Sequence, residues 1–297
     1  PKARNIAISI PGVGSDMDEA FPQTGGRLGV PGKTSFGGWA SNGSRLYTQM
    51  DSLTTKKVAV IIWLRYEPPS SFGSAPSIAR AKAAGKTLHD DVQSLNRATH
   101  VHLTLVGHSY GSTVVGYSQL RASFDATEGS ALDTVLVGSP GVGIFSMYDH
   151  WVGPDTAIIG HGVGQAFTTL EGAVSALINN GDMYSSSECG NNKFDHGNVY
   201  AAAGCFAYPN HLFTVYAPKD PAVVIAGLGT PPQFTEFGAN VLKVSNTSFT
   251  LAVDNHSHYF DVGTPSLKAI ASVSVGHYTN VSWKVGYYGR PANRWTS

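Results

Sequence analysis

Residues 103 to 120, LTLVGHSYGSTVVGYSQL, join a strand-like apolar run to a helix-like one with almost nothing in between. Val101 to Val106 is β-branched or leucine-rich at most positions, the composition of a strand covered on both faces. Ser112 to Leu120 carries Val114, Val115, Tyr117 and Leu120 at helical spacing. Between them stand only Gly107, His108, Ser109, Tyr110 and Gly111. The chain must therefore pass from strand to helix within about one residue, and Ser109 occupies the turn.

A turn this sharp has a chemical use. In a nucleophile elbow the serine takes strained backbone angles, and small residues two before and two after let strand and helix approach closely. The hydroxyl is then held out at the carboxyl edge of a sheet. The five-residue pattern alone is common in glycine-rich chains, and this chain has 34 glycines. What makes it specific here is its context of strand before and helix after.

Other apolar runs repeat the theme. Ile6 to Ile10 leads into PGVGS, Val58 to Leu64 into RYEPP, Thr134 to Val137 into GSPGVG, Leu212 to Tyr216 into APKDP, and Val241 to Val244 into SNTSF. Helical patterns lie between some of them, the clearest being Pro76 to Asn96 and Ser266 to Val273. Such alternation predicts an α/β protein with a mostly parallel, doubly wound sheet, whose ligands collect at the carboxyl ends of the strands. Residues 1–297 read as a single domain.

One connection is much longer than a crossover requires. About seventy residues separate the strand ending near Val137 from the one starting at Leu212. Within them, Phe167, Leu170, Val174, Leu177 and Ile178 mark an amphipathic helix ended by Asn179-Asn180-Gly181. The insertion, residues 144–210, leaves the sheet at the edge that carries Ser109, so it reads as a cap or lid. It also holds the two cysteines of the chain, Cys189 and Cys205. Their loop-like surroundings and the low charge content (13%) favour a Cys189–Cys205 disulfide and a secreted or extracytoplasmic protein. That bridge would stabilise its segment by roughly 3 kcal/mol on the loop-entropy estimate.

Twenty basic residues balance twenty acidic ones, which excludes the field that would gather nucleic acid or an anionic membrane. No apolar run is long enough to span a bilayer. The chain opens at Pro1 with no signal-like segment, which reads as numbering that begins after processing. The aromatic tail from His277 to Trp295 could stack on sugars, cell wall or a lipid surface, although a packed terminal strand is the commoner use of such residues.

A serine hydroxyl needs a base, and the base needs an orienting acid. With acid and histidine following the serine in chain order, His89, His100, His102 and His108 are disfavoured as the base. His256, in the loop after the last clear strand, is the candidate, with His258 its rival. Asp220 follows the preceding strand and fits the acid; Asp254 and Asp261 read as turn residues beside the histidine loop. The oxyanion donors would be the backbone N–H groups of Tyr110 and Val13. His100 with His102 and His256 with His258 repeat a strand-like spacing, but no cluster completes a metal site. The glycines of GHGVGQ (160–165) lack the strand and acidic residue of a nucleotide loop. No cofactor or metal is expected.

Taken in order, VAVIIWLRYEPP, LTLVGHSYGSTVVG, TVLVGSPGVG, VYAPKDPAV, GTPPQFTEFGANVLKV and HSHYFDVGTPSLKAIASV resemble the actinobacterial α/β-hydrolase family catalogued as a domain of unknown function. The resemblance implies an α/β-hydrolase fold with Ser109 as nucleophile, Asp220 as acid and His256 as base. The family it resembles looks more compact where this chain has its cysteine-bearing insertion, and many of its members carry an N-terminal helical region not seen in this sequence. The expected function is serine hydrolysis of carboxylic esters, with the apolar lid helix favouring lipid-like acyl groups, as in an esterase or lipase. An amidase or peptidase using the same triad, or a binding module on a hydrolase scaffold, are the alternatives.

Overall fold

The computed structural model describes residues 3–13, 37–69, 78–99, 101–120, 131–145, 147–148, 184–185, 199–200, 202–217, 220, 228–244 and 256–286. Seven strands form one sheet: β1 (Asn5–Ile10), β2 (Val58–Ile62), β3 (His102–His108), β4 (Ala131–Val137), β5 (Leu212–Val215), β6 (Asn240–Leu242) and β7 (Trp283–Lys284). They are ordered β7-β6-β5-β4-β3-β1-β2, and every described pairing in this sheet is parallel except β6 with β7. The chain places β2 on one side of β1 and β3 on the other, so a topological switch lies between β1 and β3. At such a point a crevice opens beyond the carboxyl ends of the strands.

Alternation along the strands divides the core between two faces. Ile6, Ile8, Ile10, Leu103 and Leu105 join one apolar cluster with Ala81, Ala84, Leu88 and Val92 of α2 (Ala79–Thr99) and Val114 and Val115 of α3 (Tyr110–Gln119). Ala7, Val106, Val135, Val137, Phe213 and Val215 point the other way, against Leu46 and Met50 of α1 (Gly37–Leu53) and Leu267, Ile270, Ala271 and Val273 of α4 (Pro265–Ser274). Thr264 caps α4, its hydroxyl oxygen accepting from the Leu267 N–H, with Pro265 at the first helical position.

The helix expected over Pro76 to Asn96 and the one over Ser266 to Val273 thus form with shifted ends, whereas α1 was not foreseen. Of the aromatic tail, Trp283 packs at the sheet end, its ring 5.8 Å from Phe213 and 6.4 Å from Tyr278. Residues 287–297 lie outside the described residues.

The long insertion leaves β4 through Gly138 to Gly143. Its described parts include a parallel pair, Ile144–Phe145 with Tyr184–Ser185, and an antiparallel pair, Met147–Tyr148 with Val199–Tyr200. It returns through short 3₁₀ turns at Ala202–Cys205 and Pro209–His211, where Ala202, Ala203, Cys205 and Phe206 join the first apolar cluster and Phe206 meets the Phe237 ring at 6.2 Å. The expected lid helix, the GHGVGQ glycines and Cys189 lie outside the described residues. Cys205 is buried and is not a free thiol. No helix among the described residues is long and apolar enough to cross a membrane.

Candidate active site

The aligned carboxyl ends of the strands bring distant segments to one edge. Ile10 of β1 stands opposite Gly107, and His108 opposite Val137. Backbone bonds continue past the strands: Ser109 N–H donates to Val137 O at 2.9 Å, and Gly138 N–H to Val215 O at 2.9 Å.

Ser109 is the one non-glycine residue with positive φ among the described residues, at φ 55° and ψ −130°. A residue with a Cβ pays strain for such angles, and strain of this kind gathers at functional sites. The flanking glycines make the turn possible by close approach. A Cβ on Gly107 would come within 2.7 Å of Ser112 Cα, and one on Gly111 within 2.1 Å of the Ile10 carbonyl. The Ser109 side chain lies against the loop after β1, since a Cβ on Gly12 would stand 2.6 Å from Ser109 Cβ. Val13 therefore sits beside the elbow, while Tyr110 begins α3 directly after the serine. That helix start leaves backbone N–H groups without intrahelical partners.

Tyr110 and Tyr66 brace this corner. Tyr110 Oη accepts the Ala81 N–H of α2 at 3.1 Å, and burial pushes the Tyr110 phenol up to about 12. Tyr66 donates its hydroxyl to the Pro11 carbonyl in the loop after β1, and burial raises its phenol too.

The GSPGVG segment locks onto the elbow from the other side. Ser112 Oγ lies 2.6 Å from both the Ser109 carbonyl and Ser139 Oγ, and Thr113 Oγ1 donates to the Gly141 carbonyl at 2.8 Å. Gly138 has φ 54°, and a Cβ there would meet Asp220 Oδ2 and the Tyr259 ring, both at 2.8 Å. Only glycine satisfies both the backbone and the space at this position.

Asp220 is fully buried and accepts His256 Nδ1–H, with both carboxylate oxygens at 2.9 Å. Tyr259, three residues past His256, donates to Asp220 Oδ2 at 2.7 Å while its oxygen accepts the Ala217 N–H at 2.8 Å. The rival His258 turns elsewhere: its Nδ1 pairs with Asp261, which in turn meets Arg45 of α1 at 2.6 Å. Asp261 is thus a partner of His258 and Arg45, and Asp254 lies outside the described residues.

Two residues not assigned from the sequence belong to this cluster, Tyr259 and His108. The block HSHYFDVGTPSLKAIASV contains the first, but its partner is 39 positions away. Tyr259→Phe takes the acceptor from the Ala217 N–H and one of the donors from Asp220 Oδ2 in a buried place. The variant is expected to lose about 1–3 kcal/mol of stability, read from its urea unfolding midpoint.

A model of a family described as alpha/beta hydrolase matches residues 1–148, a stretch that includes Val13, Ser109, Tyr110 and GSPGVG but stops short of Asp220 and His256. Uncharacterized proteins of two Mycobacterium tuberculosis strains are each 26% identical over 268 residues, covering 84% of this chain and 34% of their own length. The chain therefore spans about a third of the length of the curated relatives it matches. A solved acetyl xylan esterase superposes with a TM-score of 0.38 at 12% identity, covering 94% of this chain and 99% of the other. The parallel sheet with its switch between β1 and β3, the strained serine joining β3 to α3, and the family match give this chain the α/β-hydrolase fold.

Proposed function

We propose that this protein is a serine hydrolase acting on carboxylic esters. The observation that carries the reading is Ser109 at φ 55° between β3 and α3, an expensive conformation that is useful when the hydroxyl reacts. In this mechanism Ser109 Oγ attacks the acyl carbonyl and its proton passes to His256 Nε2. Asp220 holds His256 through Nδ1 and stabilises the imidazolium that forms. The N–H groups of Val13 and Tyr110 receive the oxyanion of the tetrahedral intermediate. Collapse expels the alcohol, protonated by His256, and leaves an acyl-Ser109 ester. Water activated by His256 then releases the acid and restores the hydroxyl.

The proposal extends to hydrophobic acyl groups, on the apolar periodicity of Phe167, Leu170, Val174, Leu177 and Ile178 in the inserted segment. It also includes secretion and a Cys189–Cys205 disulfide, supported by low charge and the absence of a free cysteine among the described residues.

The test combines turnover of nitrophenyl esters, from acetyl to palmitoyl, with fluorophosphonate labelling and peptide mass mapping. Phosphonylation expels fluoride and marks the activated serine. Ester turnover with the label on the Ser109 peptide is the expected result. Turnover of anilides but not esters would identify an amidase or peptidase, and no turnover or label on folded protein would leave a binding module.

A further inference from the structure

His108 is a buried histidine in direct contact with the site that the mechanism above leaves idle. It ends β3 immediately before Ser109, and its Nε2 lies 2.8 Å from the backbone carbonyl of His256. A carbonyl can only accept, so Nε2 carries the proton. Its Nδ1 is buried with no hydrogen-bond partner among the described residues. Rings close round it from two segments: Trp39 of α1 at 5.1 Å, and His256, Tyr259 and Phe260 of the stretch before α4 at 4.6, 6.0 and 6.1 Å.

We propose that His108 is a positioning residue for the catalytic base, a neutral hydrogen-bond donor that ties the His256 backbone to the strand bearing the nucleophile. The proposal rests on the serine-hydrolase reading. Asp220 orients the His256 ring through Nδ1, and a bond to the His256 backbone fixes where that ring is carried. The His108 contact links the described part of the loop carrying His256 to β3 across 148 positions of chain. Base and nucleophile are then registered to the same strand end, and the imidazole keeps its line to Ser109 through proton transfer.

Neutrality is part of the role. Burial, and after it the neighbouring His256, push His108 down to about 3. When His256 takes the serine proton, its charge disfavours a second cation alongside. His108 therefore does not compete for the proton, and its donor stays in place throughout the cycle.

The test compares two amide replacements of different reach. The Gln amide nitrogen extends to about the position of the histidine Nε2, whereas the Asn nitrogen falls near Nδ1 and cannot reach the carbonyl. With nitrophenyl esters, His108→Asn is expected to lose between about tenfold and a hundredfold in kcat with KM nearly unchanged. His108→Gln should recover most of the loss. Equal activity of His108→Asn and parent, or equal losses in both variants, would overturn the proposal. If the variants do not fold, nitrogen-15 NMR of histidine-labelled parent decides it. One ring held as the Nε2–H tautomer from about pH 5 to about pH 9 is expected, and a His108 that protonates in that range overturns it. Failure of the serine-hydrolase reading itself is distinguishable, because the parent would then show neither ester turnover nor fluorophosphonate labelling.

Discussion

Replacing Ser109 with alanine is expected to lower ester kcat by about 10⁴- to 10⁶-fold, because the remaining groups can polarise the carbonyl but have nothing to add to it. The loss should come with little change in stability. Alanine keeps the Cβ and hence the strain of φ 55°, and the turn is held by the Ser109 backbone, its N–H donating to Val137 O and its carbonyl accepting from Ser112. Glycine at the same position tells a different story. Ser109→Gly should be equally inactive yet more stable than Ser109→Ala by about 1–3 kcal/mol, since it removes the cost of the positive φ. Parallel kinetics and urea unfolding of the two variants check both parts. Activity within tenfold of the parent in Ser109→Ala would remove the serine from the mechanism, and a glycine variant no more stable than alanine would mean that no strain is stored there.

The strand framework could be read from the sequence because its side chains carry it directly. Runs such as Ile6 to Ile10 and Leu103 to Val106 are apolar on both faces, and both faces are in fact covered. Helix α1 could not be read in the same way. Gly37, Gly38, Gly43 and Ser44 weaken its helical pattern, and its fully buried positions are essentially Leu46 and Met50, too sparse a stripe to stand out. Tertiary packing against α4 makes the helix, and that contact has no local signature. The site divides similarly. Chain order after the elbow pointed to Asp220 and to His256 over its rival His258, and the fold brings Asp220 and His256 together; that His258 pairs with Asp261, itself held by Arg45, had no signal in the sequence. His108 was set aside because it precedes the serine, an argument that applies to a base and not to a residue that holds one.

His102, considered among the histidine pairs as a metal candidate, belongs to a buried network at the opposite end of the sheet. Asp133 of β4 is fully buried and accepts from His102 Nε2 at 2.7 Å, His211 Nδ1 at 2.7 Å and Tyr278 Oη at 2.8 Å. Asn5 of β1 lies 3.2 Å from His102 Nδ1, so the network joins residues near the amino ends of β1, β3, β4 and β5 and the turn before β7. Burial alone would raise the Asp133 carboxyl. The charge and hydrogen bond of His102, followed by those of His211, outweigh it and hold the group below the ordinary aspartate value. A carboxyl depressed in the folded state contributes stability above its unfolded value near about 4, and that contribution is lost as pH falls through the folded value. Asp133→Asn keeps the shape but turns an amide N–H toward groups that already donate, and leaves them with too few acceptors. Near neutral pH it is expected to cost about 3–5 kcal/mol, the range for breaking a buried pair by removing one partner. The gap between parent and variant should then narrow on acidification below about pH 4, because the parent alone loses the Asp133 contribution there. Urea unfolding of both proteins across this range measures the effect. Since Asp133 lies far along the strands from Ser109, ester kcat measured well below the unfolding midpoint should stay close to that of the parent. A variant with parent stability would mean that the three donors are satisfied without the carboxylate, and a gap that widens at low pH would mean that Asp133 is protonated in the folded protein before it is in the unfolded chain.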